Sequence, residues 1–231
     1  MRSHIRVDNL FLNISTTCNM SCDRCFGHLD DFEENRMSME TAKTATRFYF
    51  QNRNPGGLSP HVMLFGGEPL MNIDLIHEYT SWIQKTYKSY PFRLCLFTNG
   101  LALDDDLLAL FHQENLLLFV SLDGSYQFHS KNRNLSENQF DHIVAKIAAS
   151  ARKDPASVIP YCVIQQHNIC RIHEILTFIN SLGVSGFAIS KDFSENWSDE
   201  ERIYLLEELK TFRQEKSIQI YLYPEISMDC N

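Results

Sequence analysis

Short apolar runs alternate with longer amphipathic ones along almost the whole chain, and this rhythm restricts the fold more than anything else in it. Residues 10–14, 61–65, 92–97, 116–122, 157–164 and 184–190 read as strands, and 38–51, 74–88, 104–113, 136–152 and 169–182 as helices. In the second helix Leu75, Ile76, Tyr79, Trp82, Ile83 and Tyr87 share one face. Ser38 is a candidate N-cap, with Glu40 near the positive end of the helix dipole, and Gly183 closes the last helix of the series. Residues 116–122 form the most continuous apolar run and suit a central strand buried on both faces. Pro160 lacks an N–H and marks a bend or bulge in the fifth strand. Residues 126–134 are polar and read as a connection, whereas 198–215 suit an acidic helix leading to one more possible strand over 217–223.

Strands and helices in this alternation predict an α/β chain with parallel strands and right-handed crossovers. Six units are too few for eight-fold closure, so the expectation is a partial (β/α)6 TIM-like barrel, open on one side. The 231 residues, 44% hydrophobic, can bury one large core and read as a single domain over 1–231, with its core at about 9–190. Turn-forming residues recur where strands end: Gly66-Gly67-Glu68-Pro69, Thr98-Asn99-Gly100 and Ser121-Leu122-Asp123-Gly124. In β/α folds that edge carries the chemistry.

The formal net charge is −8 and no basic block occurs, so the electrostatic footprint of a nucleic-acid or anionic-membrane binder is missing. Residues 1–8 contain no apolar stretch of the kind a secretory signal needs, and no run approaches the roughly 18 apolar residues of a membrane span. Seven cysteines in such a chain read as thiols or metal ligands in a reducing cytoplasm. Three of them, Cys18, Cys22 and Cys25, follow the first strand in a C-x₃-C-x₂-C loop over 16–27. Three thiolates can hold three irons of a cubane and leave the fourth iron open. A closed zinc site would need a fourth ligand, for which the nearest candidate is His28.

The cysteine triplet after the first strand, with the three strand-end motifs that follow it in order, resembles the radical S-adenosylmethionine enzymes. The resemblance implies a 4Fe–4S cluster on Cys18, Cys22 and Cys25, with S-adenosyl-L-methionine on the open iron, cleaved reductively to a 5′-deoxyadenosyl radical that abstracts substrate hydrogen. It further implies that Gly66 and Gly67 let the backbone approach the methionine moiety and that Glu68 pairs with its ammonium. Thr98 and Asn99 would contact ribose or methionine, Ser121 and Asp123 would touch the cofactor, and Arg133 would reach its carboxylate. The plain alternatives are ordinary strand-end turns at these Gly- and Asn-rich steps and a solvated Arg133. One departure stands out. Many members carry an aromatic residue just before the third cysteine, whereas this chain has Arg24 there and Phe26 after Cys25. Either Arg24 stacks through its flat guanidinium or Phe26 supplies the wall against adenine.

Among the other cysteines, Cys95 suits core packing. Cys162 and Cys170 flank the end of the fifth strand, where a thiol could return a hydrogen atom to a substrate radical. The motifs are most similar to the branch that modifies peptides and proteins, by crosslinking, epimerisation or thioether formation. Members of that branch often add a cysteine-rich C-terminal region; here only Cys230 is available, so one cluster is expected. No leader-gripping module is recognised, which leaves peptide recognition to the barrel mouth, residues 126–135 or a separate partner. The resemblance also implies an external flavodoxin- or ferredoxin-like electron donor. The alternatives are a small-molecule enzyme of the same superfamily, such as one of deazapurine-type ring chemistry, and a non-catalytic iron–sulfur or zinc protein.

Overall fold

The computed structural model describes residues 9–25, 35–53 and 61–222. Seven strands run parallel in sequence order in one unclosed sheet: β1 (Asn9–Ser15), β2 (His61–Gly66), β3 (Arg93–Thr98), β4 (Leu117–Ser121), β5 (Val158–Ile164), β6 (Gly186–Lys191) and β7 (Gln219–Leu222). Between them lie α1 (Met39–Asn52), α2 (Ile73–Thr86), α3 (Asp105–Gln113), α4 (Tyr126–Arg133), α5 (Glu137–Lys153), α6 (Ile172–Asn180) and α7 (Asp199–Lys216). The expected parallel α/β architecture is present. The run at 217–223 does supply a further strand, paired parallel to β6, with Tyr223 outside the described residues. Among the described residues no helix is long and apolar enough to cross a membrane.

The chain groups into two compact units. The first holds β1, β2, β3, α1, α2 and most of α3. Its strands are set in register by their buried residues: Leu12 lies opposite Leu64, and Leu64 opposite Leu96. Ser38 caps α1 by accepting from Thr41 N–H, as its position suggested. Ala42, Thr46, Tyr49 and Phe50 of α1 are buried, as are Leu75, Ile76, Tyr79 and Ile83 of α2. The two helices share a buried hydrogen bond of 2.7 Å between Thr46 Oγ1 and the Tyr79 hydroxyl, so the phenol is satisfied inside the core.

The second unit comprises 22–24, 99–105 and the chain from Phe119 onward. The β5–β6 ladder begins at Tyr161, one residue beyond Pro160, which has no N–H to give it. Capping boxes at Ser136/Gln139 and Ser198/Glu201 start α5 and α7. The segment read as a polar connection is in fact a helix, α4, ended by Asn134 in the left-handed conformation. Sequence polarity hid it because two of its polar residues, spaced i, i+4, turn inward to Asp123, His129 to its backbone N–H and Arg133 to its carboxylate.

Candidate active site

In the first unit the site is built where β1 and β2 end. Gly66 has φ +149°, and the next two residues bind the entrance to the cysteine loop. Gly67 N–H donates to Ser15 O at 2.7 Å, and Glu68 N–H donates to Thr17 O at 2.8 Å. A Cβ on Gly66 would stand 2.2 Å from Ser15 O, and one on Gly67 would stand 2.6 Å from Thr17 O. Both obstacles are backbone atoms, so the glycine pair is required by the close approach of 66–68 to the residues preceding Cys18. Asn72 Nδ2 holds the same strand end by donating to Ile14 O at 2.9 Å.

Glu68 is fully buried at this junction. Its Oε1 accepts from Leu70 N–H at 3.0 Å and from the Thr98 hydroxyl at 2.7 Å. The two donors orient the carboxylate, and charge-assisted bonds of this kind offset the cost of burying it. Thr98, expected to meet the cofactor, thus spends its hydroxyl on Glu68. That pairing joins two strand ends and has no local signature in the sequence.

In the second unit a buried ion pair organises the end of β4. Asp123 is 0% exposed, and its Oδ2 and Oδ1 receive Arg133 Nε at 2.9 Å and Nη2 at 3.3 Å. Val163 N–H also donates to Oδ1, at 2.9 Å, and Asn132 Nδ2 to Oδ2, at 3.3 Å. Burial by itself would raise the Asp123 carboxyl, but the Arg133 guanidinium overrides it and holds the group well below the usual carboxylate range. Arg133 is not solvated: its side chain is 17% exposed, and the Asp123 charge keeps it protonated against burial.

His129 completes this corner. Its Nδ1 accepts from Asp123 N–H at 3.1 Å, which places the proton of the neutral ring on Nε2. Nε2 is buried without a hydrogen-bond partner among the described residues. Burial lowers the proton affinity of the ring. The Asp123 carboxylate, 3.6 Å from Nδ1, is too distant to hydrogen-bond it. Just after β3, Asn99 Oδ1 accepts from Leu101 N–H at 2.9 Å in a tight turn. Ser121 is half-buried, and its hydroxyl makes no hydrogen bond among the described residues.

Arg24, the residue standing where an aromatic was expected, is engaged by acids from beyond β6. Its Nη1 lies 3.2 Å from Asp192 Oδ2 and 2.6 Å from Glu195 Oε1, and these two bonds raise its affinity for the proton. Gln165 Nε2 donates to Asp192 Oδ2, and Gln166 N–H donates to Glu195 Oε2 at 2.7 Å. The loop after β6 therefore belongs with the site, and sequence reading missed it. The only local hint was a pair of acids just past a strand end.

Cys18, Cys22 and Cys25 are part-exposed. Among the described residues no three His, Cys, Asp or Glu side chains are grouped as a metal site, so the ligand set rests on residue type and spacing. Cys162 is fully buried on the face of β5 opposite Tyr161 and Val163, and burial pushes its thiol well above the ordinary range. That placement suits packing better than hydrogen-atom return. Cys170 is exposed on the turn Gln166–Arg171. Cys95 is buried in β3, and its thiol is pushed up to about 12. Phe26, His28 and Cys230 lie outside the described residues.

Residues 12–179 match the family model described as the Radical SAM superfamily. Among curated proteins, the chain is 28% identical over 126 residues to a serine-type anaerobic sulfatase-maturating enzyme of Bacteroides thetaiotaomicron. That match covers 52% of this chain but only 30% of the relative. Among solved structures, anSMEcpe with bound AdoMet superposes with a TM-score of 0.75 at 16% identity, covering 94% of this chain and 63% of that one. Streptococcus suis SuiB bound to its precursor peptide SuiA superposes with a TM-score of 0.73 at 13% identity, covering 95% and 48%. At these identities the two structures speak for the fold alone.

Proposed function

The chain belongs to the radical SAM superfamily, and from that premise we propose that it is an enzyme modifying a peptide or protein substrate, with one 4Fe–4S cluster on Cys18, Cys22 and Cys25. The observation that carries the reading is the pair of backbone bonds fastening Gly67 and Glu68 to Ser15 and Thr17, which sets a buried carboxylate beside the strand end that leads into Cys18. The donor set suits the cofactors: three part-exposed thiols for iron, the Glu68 carboxylate for an ammonium group, and the half-buried Ser121 hydroxyl for a sugar or amino-acid oxygen. When bound, the cluster and S-adenosylmethionine together supply a 5′-deoxyadenosyl radical able to remove a substrate hydrogen atom.

The protein's part is positioning and charge. Thr98 and Leu70 N–H hold the Glu68 carboxylate in one orientation, ready to receive a cation. The Asp123–Arg133 pair fixes the end of β4, with Ser121 two residues before Asp123. The peptide assignment is supported by the sulfatase-maturating relative and by the strand-end motifs, and a small-molecule substrate is the alternative outcome. Anaerobically reconstituted, reduced protein supplied with S-adenosylmethionine should form 5′-deoxyadenosine. Cluster-loaded protein that forms none would sink the enzyme reading. Cys22→Ala should abolish both product and cluster absorbance, and hydrogen exchange between labelled cofactor and candidate peptides then sorts the substrates.

A further inference from the structure

We propose that Arg24 is a positioning residue for the cluster loop, with the Asp192–Glu195 carboxylates as its fixed receptor. The inference rests on the assignment of Cys22 and Cys25 as cluster ligands. The two acids are only 10% and 11% exposed, yet both converge on one guanidinium nitrogen. Each is held independently of Arg24. Asp192 Oδ1 accepts from Ser194 N–H at 2.9 Å and from the Ser194 hydroxyl at 2.6 Å, while Asp192 N–H donates to Ile164 O at 2.8 Å. Trp197 Nε1 donates to Asp192 O at 2.9 Å, and Gln166 N–H holds Glu195 Oε2. The receptor is therefore a pair of carboxylates anchored on the ends of β5 and β6, each already held by neighbouring donors and open to one shared cation.

Arg24 supplies that cation from within the three-residue segment 22–24, which groups with the second unit. Its side chain is 46% exposed, so the pair adds little to global stability. What it controls is local: two residues after Cys22 and adjacent to Cys25, it limits where the middle of the loop can stand. An aromatic residue at this position would bring no positive charge to the two acids. Residues that orient metal ligands from outside the coordination sphere commonly govern metal retention more than folding.

The test compares the unaltered chain with Arg24→Ala, Arg24→Lys and Asp192→Asn/Glu195→Gln after anaerobic reconstitution. Iron per chain, the rate of iron loss to a chelator, the electron paramagnetic resonance spectrum of the reduced cluster and the urea midpoint are measured on each. Arg24→Ala and the double acid variant should lose iron about tenfold faster and show an altered spectrum, with the urea midpoint unchanged. Because both acids share one nitrogen, a lysine can serve them, and Arg24→Lys should stay within about twofold of the unaltered chain. Iron loss from Arg24→Ala at the unaltered rate would overturn the proposal, as would a urea midpoint that falls in step with iron loss. An unaltered chain that binds no iron would instead overturn the cluster assignment itself, and the positioning role with it.

Discussion

Replacing Asp123 by alanine is the sharpest stability test of the ion pair at the end of β4. The carboxylate is fully buried and receives four hydrogen bonds, two of them from an Arg133 side chain that is 17% exposed. Removing it strands a cation and leaves the Val163 N–H without its carboxylate acceptor. Breaking a buried pair from one side costs about 3–5 kcal/mol. With a urea slope of about 3 kcal/mol/M for a chain of this size, the midpoint should fall by roughly 1–1.7 M. Trp197, buried in the same unit, gives the fluorescence signal. Asp123→Ala/Arg133→Met removes both charges and should recover about 2 kcal/mol relative to Asp123→Ala, since an unpaired buried ion costs more than an apolar gap. Because the folded-state carboxyl lies well below its unfolded value of about 3.9, its stabilisation is complete above pH 5 and drains only as pH falls below about 4. The gap between the unaltered chain and Asp123→Ala should therefore be flat from about pH 5 to 8 and close in acid. A midpoint shift below about 0.3 M, or strictly additive single variants, would refute the account.

Other tests follow from the same geometry. Burial lowers the His129 pKa below its unfolded value of about 6.5, so stability should decline as pH drops through 6.5, and the decline should shrink in His129→Gln urea melts. Gly66→Ala forces a side chain into a φ of +149° and against Ser15 O, and should cost about 2–4 kcal/mol in denaturation, with impaired iron incorporation. Thr98→Val deletes a donor to a buried carboxylate worth about 1.5–3 kcal/mol, and should weaken S-adenosylmethionine binding in calorimetry about tenfold or more, whereas Thr98→Ser should restore it. In native apo protein a maleimide should label Cys170 rapidly and leave Cys95 and Cys162 unmodified until denaturant is added; fast labelling of Cys162 would contradict its burial.

How far the chain can be read without coordinates depends on the range of the interaction concerned. Period-two and period-3.6 patterns are local, so β1 to β6 and six of the seven described helices were legible, as was the cap at Ser38. The helix α4 escaped because its inward residues are polar, and a polar face turned toward a buried charge looks the same in sequence as a solvated one. The glycines at 66 and 67 were recognised as a close approach, but the backbone they admit is that of residues 15–17.

By itself the sequence determined the parallel α/β rhythm, the three thiols spaced for a cluster, and the strand ends at which chemistry is expected. These depend on neighbours a few residues apart. Tertiary structure alone decided which charges meet: Thr98 with Glu68 across 30 residues, and Arg24 with Asp192 and Glu195 across 168 and 171. A hydrogen bond constrains two side chains in space and leaves no periodic trace along the chain between them. For that reason the Arg24 that looked like a missing aromatic in the sequence became a partnered cation in the fold.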